Sequence, residues 1–154
     1  MIFKVLLNCF YAFMGSLGFC ILFNIRGKNL FFASLGGGIG WFVYLIFSNF
    51  GYSSTLALFI ASLAISIYSE IFARLMKTPV TTYIISAMLP LVPGGGMYYT
   101  MLESVKGNVN TSLNLGFKTL IDAGSIAVAI VLISSLSKFL MLYKFKNLNK
   151  KIGK

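Results

Sequence analysis

The 154-residue chain has no histidine, two cysteines, three prolines and three acidic residues, against thirteen lysines and arginines. Each shortage closes a class of chemistry. Without histidine there is no imidazole base or imidazole metal ligand, and two cysteines do not complete a tetrahedral thiolate site. Cys9 and Cys20 both fall in the first apolar run, and eleven residues of helix separate them by roughly 16 Å along the axis. They cannot pair with each other and read as small buried apolar side chains. Ser-His-Asp sets, metal-ligand pairs, GxGxxG turns and phosphate loops are all missing from the sequence. The usual constellations for hydrolysis and cofactor chemistry are therefore excluded, and the chain is expected to carry no catalytic residue, no metal and no cofactor, and not to be an enzyme.

Charge is scarce as well. Only 10% of residues are charged and 58% are hydrophobic, where a soluble domain carries about 25% charged residues. With a mean hydropathy of +0.87, this is the composition of an integral membrane protein. The basic excess sits at the ends of apolar runs and in the tail, the pattern of topology signals and anionic-lipid contacts. No basic patch with interleaved aromatics lies on a soluble element of adequate size, so membrane lipids are expected partners and nucleic acid is not.

What is present is a series of long apolar runs. A crossing needs about twenty residues, and five segments qualify: about 5–25, 30–50, 53–73, 80–102 and 119–143. The expected fold is an all-α integral membrane protein, a bundle of about five transmembrane helices. Residues 1–143 form the transmembrane domain and 144–154 a basic tail too short to fold. The first run could pass for a signal peptide. However, its apolar part is about twenty residues long and Arg26 follows with no small-residue cleavage site, which favours a retained span. The polar stretch from Glu103 to Gly116, with Asn108, Asn110, Thr111, Ser112 and Asn114, reads as a loop.

Charge placement orients the spans. With five crossings, Arg26, Lys28, Arg74, Lys77, Lys144, Lys146, Lys150, Lys151 and Lys154 share one side, while Lys4, Lys106 and Lys118 share the other. The positive-inside rule makes the richer side cytoplasmic, leaving the N-terminus outside a plasma membrane and the C-terminus inside. If the fourth segment only dipped in and returned, the two sides would come out nearly even. A full crossing accounts for the charges better.

The fourth span holds the most unusual stretch, Pro90-Leu91-Val92-Pro93-Gly94-Gly95-Gly96-Met97-Tyr98-Tyr99. Proline removes a backbone donor and clashes with the preceding turn, and each glycine costs about 1 kcal/mol relative to alanine inside a helix. The helix should break there and restart near Gly96 or Met97, with free N–H groups and the positive end of its dipole inside the protein. That geometry suits a carboxylate. The alternative is a proline kink serving packing alone. Tyr98 and Tyr99 read as an interfacial belt, as does Trp41 less clearly, or Tyr98 closes the site.

Asp122, about one turn into the fifth span, is either a proton or cation site with a coupling or gating role, or the structural partner of Lys118 four residues earlier. Glu70 and Arg74 are spaced for an i,i+4 ion pair. Gly36 and Gly40 give a small-xxx-small spacing, for helix packing or as a second flexible lining of a path.

Taken together, Gly18-Phe19-Cys20-Ile21-Leu22-Phe23-Asn24-Ile25, Leu35-Gly36-Gly37-Gly38-Ile39-Gly40-Trp41, Pro79, and Pro90-Leu91-Val92-Pro93-Gly94 leading to Tyr98 or Tyr99 and Met101 resemble the threonine/serine exporter family. Their order and spacing resemble its small YjjB-type subunit, found in split, two-component members, over about residues 10–142. The resemblance implies a secondary exporter of small carboxylate-bearing metabolites, either threonine and serine or a dicarboxylate such as succinate. It also implies a larger membrane subunit as partner. Where the family motif has one glycine followed by small residues, this chain has Gly94-Gly95-Gly96. Pro90, Pro93, Gly94, Gly95, Gly96 and Tyr98 are the expected substrate-binding residues, with Asp122 as the coupling or gating candidate. The competing expectation is a non-transporting membrane scaffold or assembly subunit.

The orientation is open to direct test. A cysteine placed in each terminus should be labelled by a membrane-impermeant reagent in intact cells at the N-terminal end only, and labelling of the tail would reverse the topology.

Overall fold

The computed structural model describes the backbone of residues 2–152 and the side chains of residues 3–139. In chain order the elements are α1 (Ile2–Leu22), α2 (Lys28–Asn49), α3 (Ser54–Leu75), α4 (Val80–Met88), a 3₁₀ turn at Leu89–Leu91, α5 (Gly94–Val105) and α6 (Val109–Ile152). Helices α1, α2, α3 and α6 are each long and apolar enough to cross a bilayer. The α4 helix with its 3₁₀ turn forms a fifth candidate span with α5, bent by 50° between them. The chain is thus an all-α, multi-pass membrane protein with four to five spans, one of them broken.

Local chemistry sets the helix limits. After α1 the backbone turns through left-handed conformations at Asn24 and Gly27, with φ of 57° and 66°, and such a turn is least strained at glycine. The α3 helix starts where the Ser53 hydroxyl accepts the Leu56 N–H at 3.3 Å, an N-cap that satisfies one of the free first-turn donors. Pro79 stands at the N-cap of α4, where its missing donor costs little.

The α2 helix is the hub. Its glycines have no side chains, and a different neighbour occupies each space. Gly36 faces Ala87 and Tyr68, Gly37 faces Ser16 and Pro90, Gly38 faces Phe13, and Gly40 faces Ile65 and Leu91. Helices α1, α3 and α4 therefore all approach the backbone of α2 closely, so the small-residue spacing serves packing. Around it Leu58, Ala61, Ile65, Ala87, Leu91 and Ile126 form one buried cluster, and Cys20, Ala33, Ala73 and Tyr83 another. Cys20 is buried and unpaired, and Cys9 is half-buried.

The seam between α3 and α6 has a fixed register. Thr55 on α3 bonds Asp122 on α6, and Glu70 on α3 bonds Ser137 on α6; both pairs are 67 residues apart in sequence. Two contacts at one offset mean that the helices run parallel, so α4 and α5 together must travel back along the bundle between them. A segment that dipped in and returned would leave α6 antiparallel to α3.

Two stretches differ from the sequence expectation. Residues 109–116 are helical, and the polar connection shrinks to the turn at 106–108. Asn110, Thr111 and Asn114 are exposed on an α5–α6 hairpin while Ser112 turns inward, and the hairpin supplies the regularity that their composition hides. The α6 backbone also stays helical into the basic stretch as far as Ile152, because extending an existing helix adds a bond per residue without a new nucleus.

The hub can be tested with methyl groups. A Cβ at Gly37 collides with Ser16, whereas one at Gly18 meets nothing within 4 Å. Gly37→Ala should lose about 1–3 kcal/mol through overpacking. Gly18→Ala should be neutral or slightly stabilising. Thermal unfolding in detergent separates the two.

Candidate functional site

The break starts deep in the bundle. Pro90 packs against Gly37 and Leu91 against Gly40, both near the middle of α2. The Val92 N–H still reaches the Leu89 carbonyl at 3.3 Å, and the Gly94 N–H turns back to the Val92 carbonyl at 2.7 Å. With Pro93 as N-cap, the Met97 N–H bonds the Pro93 carbonyl at 3.2 Å and closes the first turn of α5. The restart is thus at Gly94, two residues before the sequence-based expectation, and all three glycines lie in that first turn. First-turn residues need no acceptor four residues back, which is why the glycines do not delay the helix. Among the described residues the Gly95 and Gly96 N–H groups have no backbone acceptor, and the Pro90 and Leu91 carbonyls receive no bond from beyond the break.

The free N–H groups were expected inside the protein. In this chain the turn opens on one side: Gly94 and Gly95 are exposed with nothing within 4 Å of a Cβ built on either, whereas Gly96 is half-buried. Among the described residues α5 packs on α6 alone. Gly96 sits tight against Thr119, Gly116 lies against Thr100, and the Ser112 hydroxyl donates to the Thr100 carbonyl at 2.9 Å. Tyr98, on the same face as Gly94, is exposed and meets Tyr99 edge-on at 5.3 Å.

Asp122 is buried at 7% exposure and accepts a hydrogen bond from the Thr55 hydroxyl. Among the described residues it has no ion pair, so Lys118 is not its partner. Lys118 precedes it by one turn but the carboxylate turns toward the first turn of α3, where free N–H groups and the positive end of the helix favour an anion. The Gly96–Thr119 contact brings the glycine turn to within one turn of Asp122 along α6. The break and the buried carboxylate, far apart in sequence, therefore occupy adjoining levels of α6, one against α5 and the other facing α3.

At the other end of α3, Arg74 and Glu70 form the expected ion pair at 3.4 Å, and Ser137 joins it. The Ser137 hydroxyl donates to Glu70 Oε2 at 2.6 Å, and Arg74 Nη2 lies 2.6 Å from Ser137 Oγ.

Open pockets flank the break on both sides. One of about 290 Å³ lies toward α1 and α2 and is lined by Asn8, Tyr11, Phe19, Trp41, Leu89 and Pro90 among others. The other, about 360 Å³, lies toward α6 between Val92, Pro93, Ala123, Ile126 and Ala127. Beside the first, the Ser16 hydroxyl is buried against Gly37 without a hydrogen-bond partner. Asn8, Tyr11, Thr55 and Thr119 escaped the sequence reading. A polar residue within an apolar run was the only signal they gave, and Thr55 gains its role solely from a helix 67 residues away.

A broken span with free backbone groups between two pockets, beside a buried carboxylate, is the layout of a transport protein. Comparison with known proteins agrees. Residues 8–136 match the family model described as Threonine/Serine exporter, ThrE, and no solved structure matches the chain. Because that match runs from the first helix through the break and most of α6, the chain belongs to the threonine/serine exporter family, membrane transporters of amino-acid export rather than enzymes.

Proposed function

We propose that this chain is one subunit of a secondary exporter that moves a small carboxylate-bearing metabolite outward across the plasma membrane. Threonine and serine are the first candidate substrates and a dicarboxylate the second. The observation that carries the proposal is the unsatisfied backbone at the break. Non-helical backbone is tolerated at membrane depth only where protein buries it or water reaches it, and here Val92, Gly94 and Gly95 are exposed on the chain's own surface. A second, larger subunit packed against this surface would close the site. The substrate carboxylate would then meet the Gly95 and Gly96 N–H groups and the positive end of α5. Pro90 and Pro93 hold the break, and Tyr98 borders it.

In this reading Asp122 has the coupling or gating role. Protonation would release the Thr55 clamp, and the glycine turn one level away would feel the change. Export takes place with the N-terminus outside and the basic end of the bundle in the cytoplasm.

The free space at Gly94 and Gly95 makes the site testable, since a side chain there fits this chain without collision. Gly94→Leu or Gly95→Leu should insert normally and lose export of radiolabelled threonine, serine or succinate from cells that hold both subunits. Neutralising Lys106, in the exposed turn between α5 and α6, should do far less, because water and salt screen it there. Normal export by the glycine variants together with loss in a lysine variant would replace the broken-helix site with an outer basic vestibule.

The partner and the aspartate have their own readouts. Co-expression with the larger subunit followed by purification in mild detergent should give a hetero-complex, and robust efflux from liposomes holding this chain alone would reject the dependence. Asp122→Asn should abolish gradient-driven net export but leave exchange of internal for external substrate. Unchanged net export would remove Asp122 from the mechanism.

A further inference from the structure

A third groove lies far from the break, at the Arg74 end of the α3–α6 seam. Ile67, Ile71, Ile133 and Leu136 wall an open cavity of about 230 Å³, and Glu70, Arg74 and Ser137 close it. The seam exists because the two helices run parallel at a fixed register, so the groove keeps its shape along its length. From Ile67 to Arg74 it extends roughly 10 Å along the helix axis.

Its mouth is cationic. Arg74 is the penultimate residue of α3, at the depth of the membrane surface. Its Nη2 is held by Ser137 and Glu70, while its side chain stays 50% exposed. Among the described residues no acceptor takes its Nε or Nη1. Glu70 carries the one negative charge at this end, since Glu103 and Asp122 lie toward the other, and Arg74 offsets it. Lys77, three residues on, and Lys138, adjacent to Ser137, are both exposed and add positive charge.

We propose that this groove binds an anionic glycerophospholipid, with one acyl chain between the isoleucines and a phosphate oxygen on a free guanidinium donor of Arg74. The aliphatic walls match a hydrocarbon chain, and a cationic guanidinium donor matches a phosphate oxygen. Ser137 and Glu70 hold the guanidinium through Nη2 at the mouth of the groove. The inference requires a membrane-embedded chain and is independent of substrate, partner and Asp122.

Native mass spectrometry tests it on the purified protein with any co-purifying subunit, delipidated and then given equal phosphatidylglycerol and phosphatidylcholine. The wild type should retain phosphatidylglycerol about fivefold over phosphatidylcholine, the scale of one basic residue near an anionic lipid surface. Arg74→Gln should bring the ratio close to one, and Ile133→Trp, which fills the groove, should lower retention of both lipids. Glu70→Gln combined with Arg74→Gln gives the same readout without an unpaired buried carboxylate, should the single variant fail to fold. An unchanged headgroup preference in the arginine variants overturns the proposal. So does unaltered retention in Ile133→Trp, or a hetero-complex that holds no lipid while the separate chain does, which would assign the groove to a protein contact.

Discussion

The structure depends on a stretch of bare backbone in the middle of α2. Between Gly36 and Gly40 the helix presents no side chain larger than hydrogen except Ile39, so α1, α3 and the end of α4 can all come within van der Waals reach of its main chain. In a bilayer lipid tails are as apolar as leucine, so close packing replaces water exclusion as the force between helices. The position of the break follows from this. Pro90 and Leu91 lodge against Gly37 and Gly40, and the last turn of α4 ends where the glycines admit it.

Beyond that anchor the chain stops supporting itself. The α5 helix has no buried residue and rests on α6 alone. Its start is rich in glycine, poor in contacts and open to its surroundings. These properties would be defects in a self-contained bundle, but they suit a segment whose other wall comes from elsewhere.

Much of this was legible in the residues. Hydropathy alone locates the spans, and two prolines with three glycines locate the break, because those residues act on the backbone directly. Gly36 and Gly40 announce close packing through spacing. Other features were hidden because they depend on partners distant in sequence. The helix through residues 109–116 is held by Thr100, Gly116 and Ser112 across a hairpin, and nothing in Asn110, Thr111 or Asn114 signals it. Local spacing paired Asp122 with Lys118, yet the carboxylate takes the Thr55 hydroxyl, since α3 brings a helix start to that level of α6. Whether the N–H groups at the break are enclosed is equally invisible in sequence, because it depends on what packs around them.

The contrast between α5 and α6 has a mechanical meaning. The stretch of α6 from Val109 to Phe139 that qualifies as a span runs 31 residues without interruption, roughly 46 Å against a hydrocarbon layer of about 30 Å. The chain beside it is cut at mid-depth. Compliance is thereby concentrated at a single joint, with a stiff strut on one side and a short lever, α5, resting along the Val109 end of the strut. A push on that lever bends the backbone at Pro90–Gly94, and a push on the strut is carried from one face of the membrane toward the other.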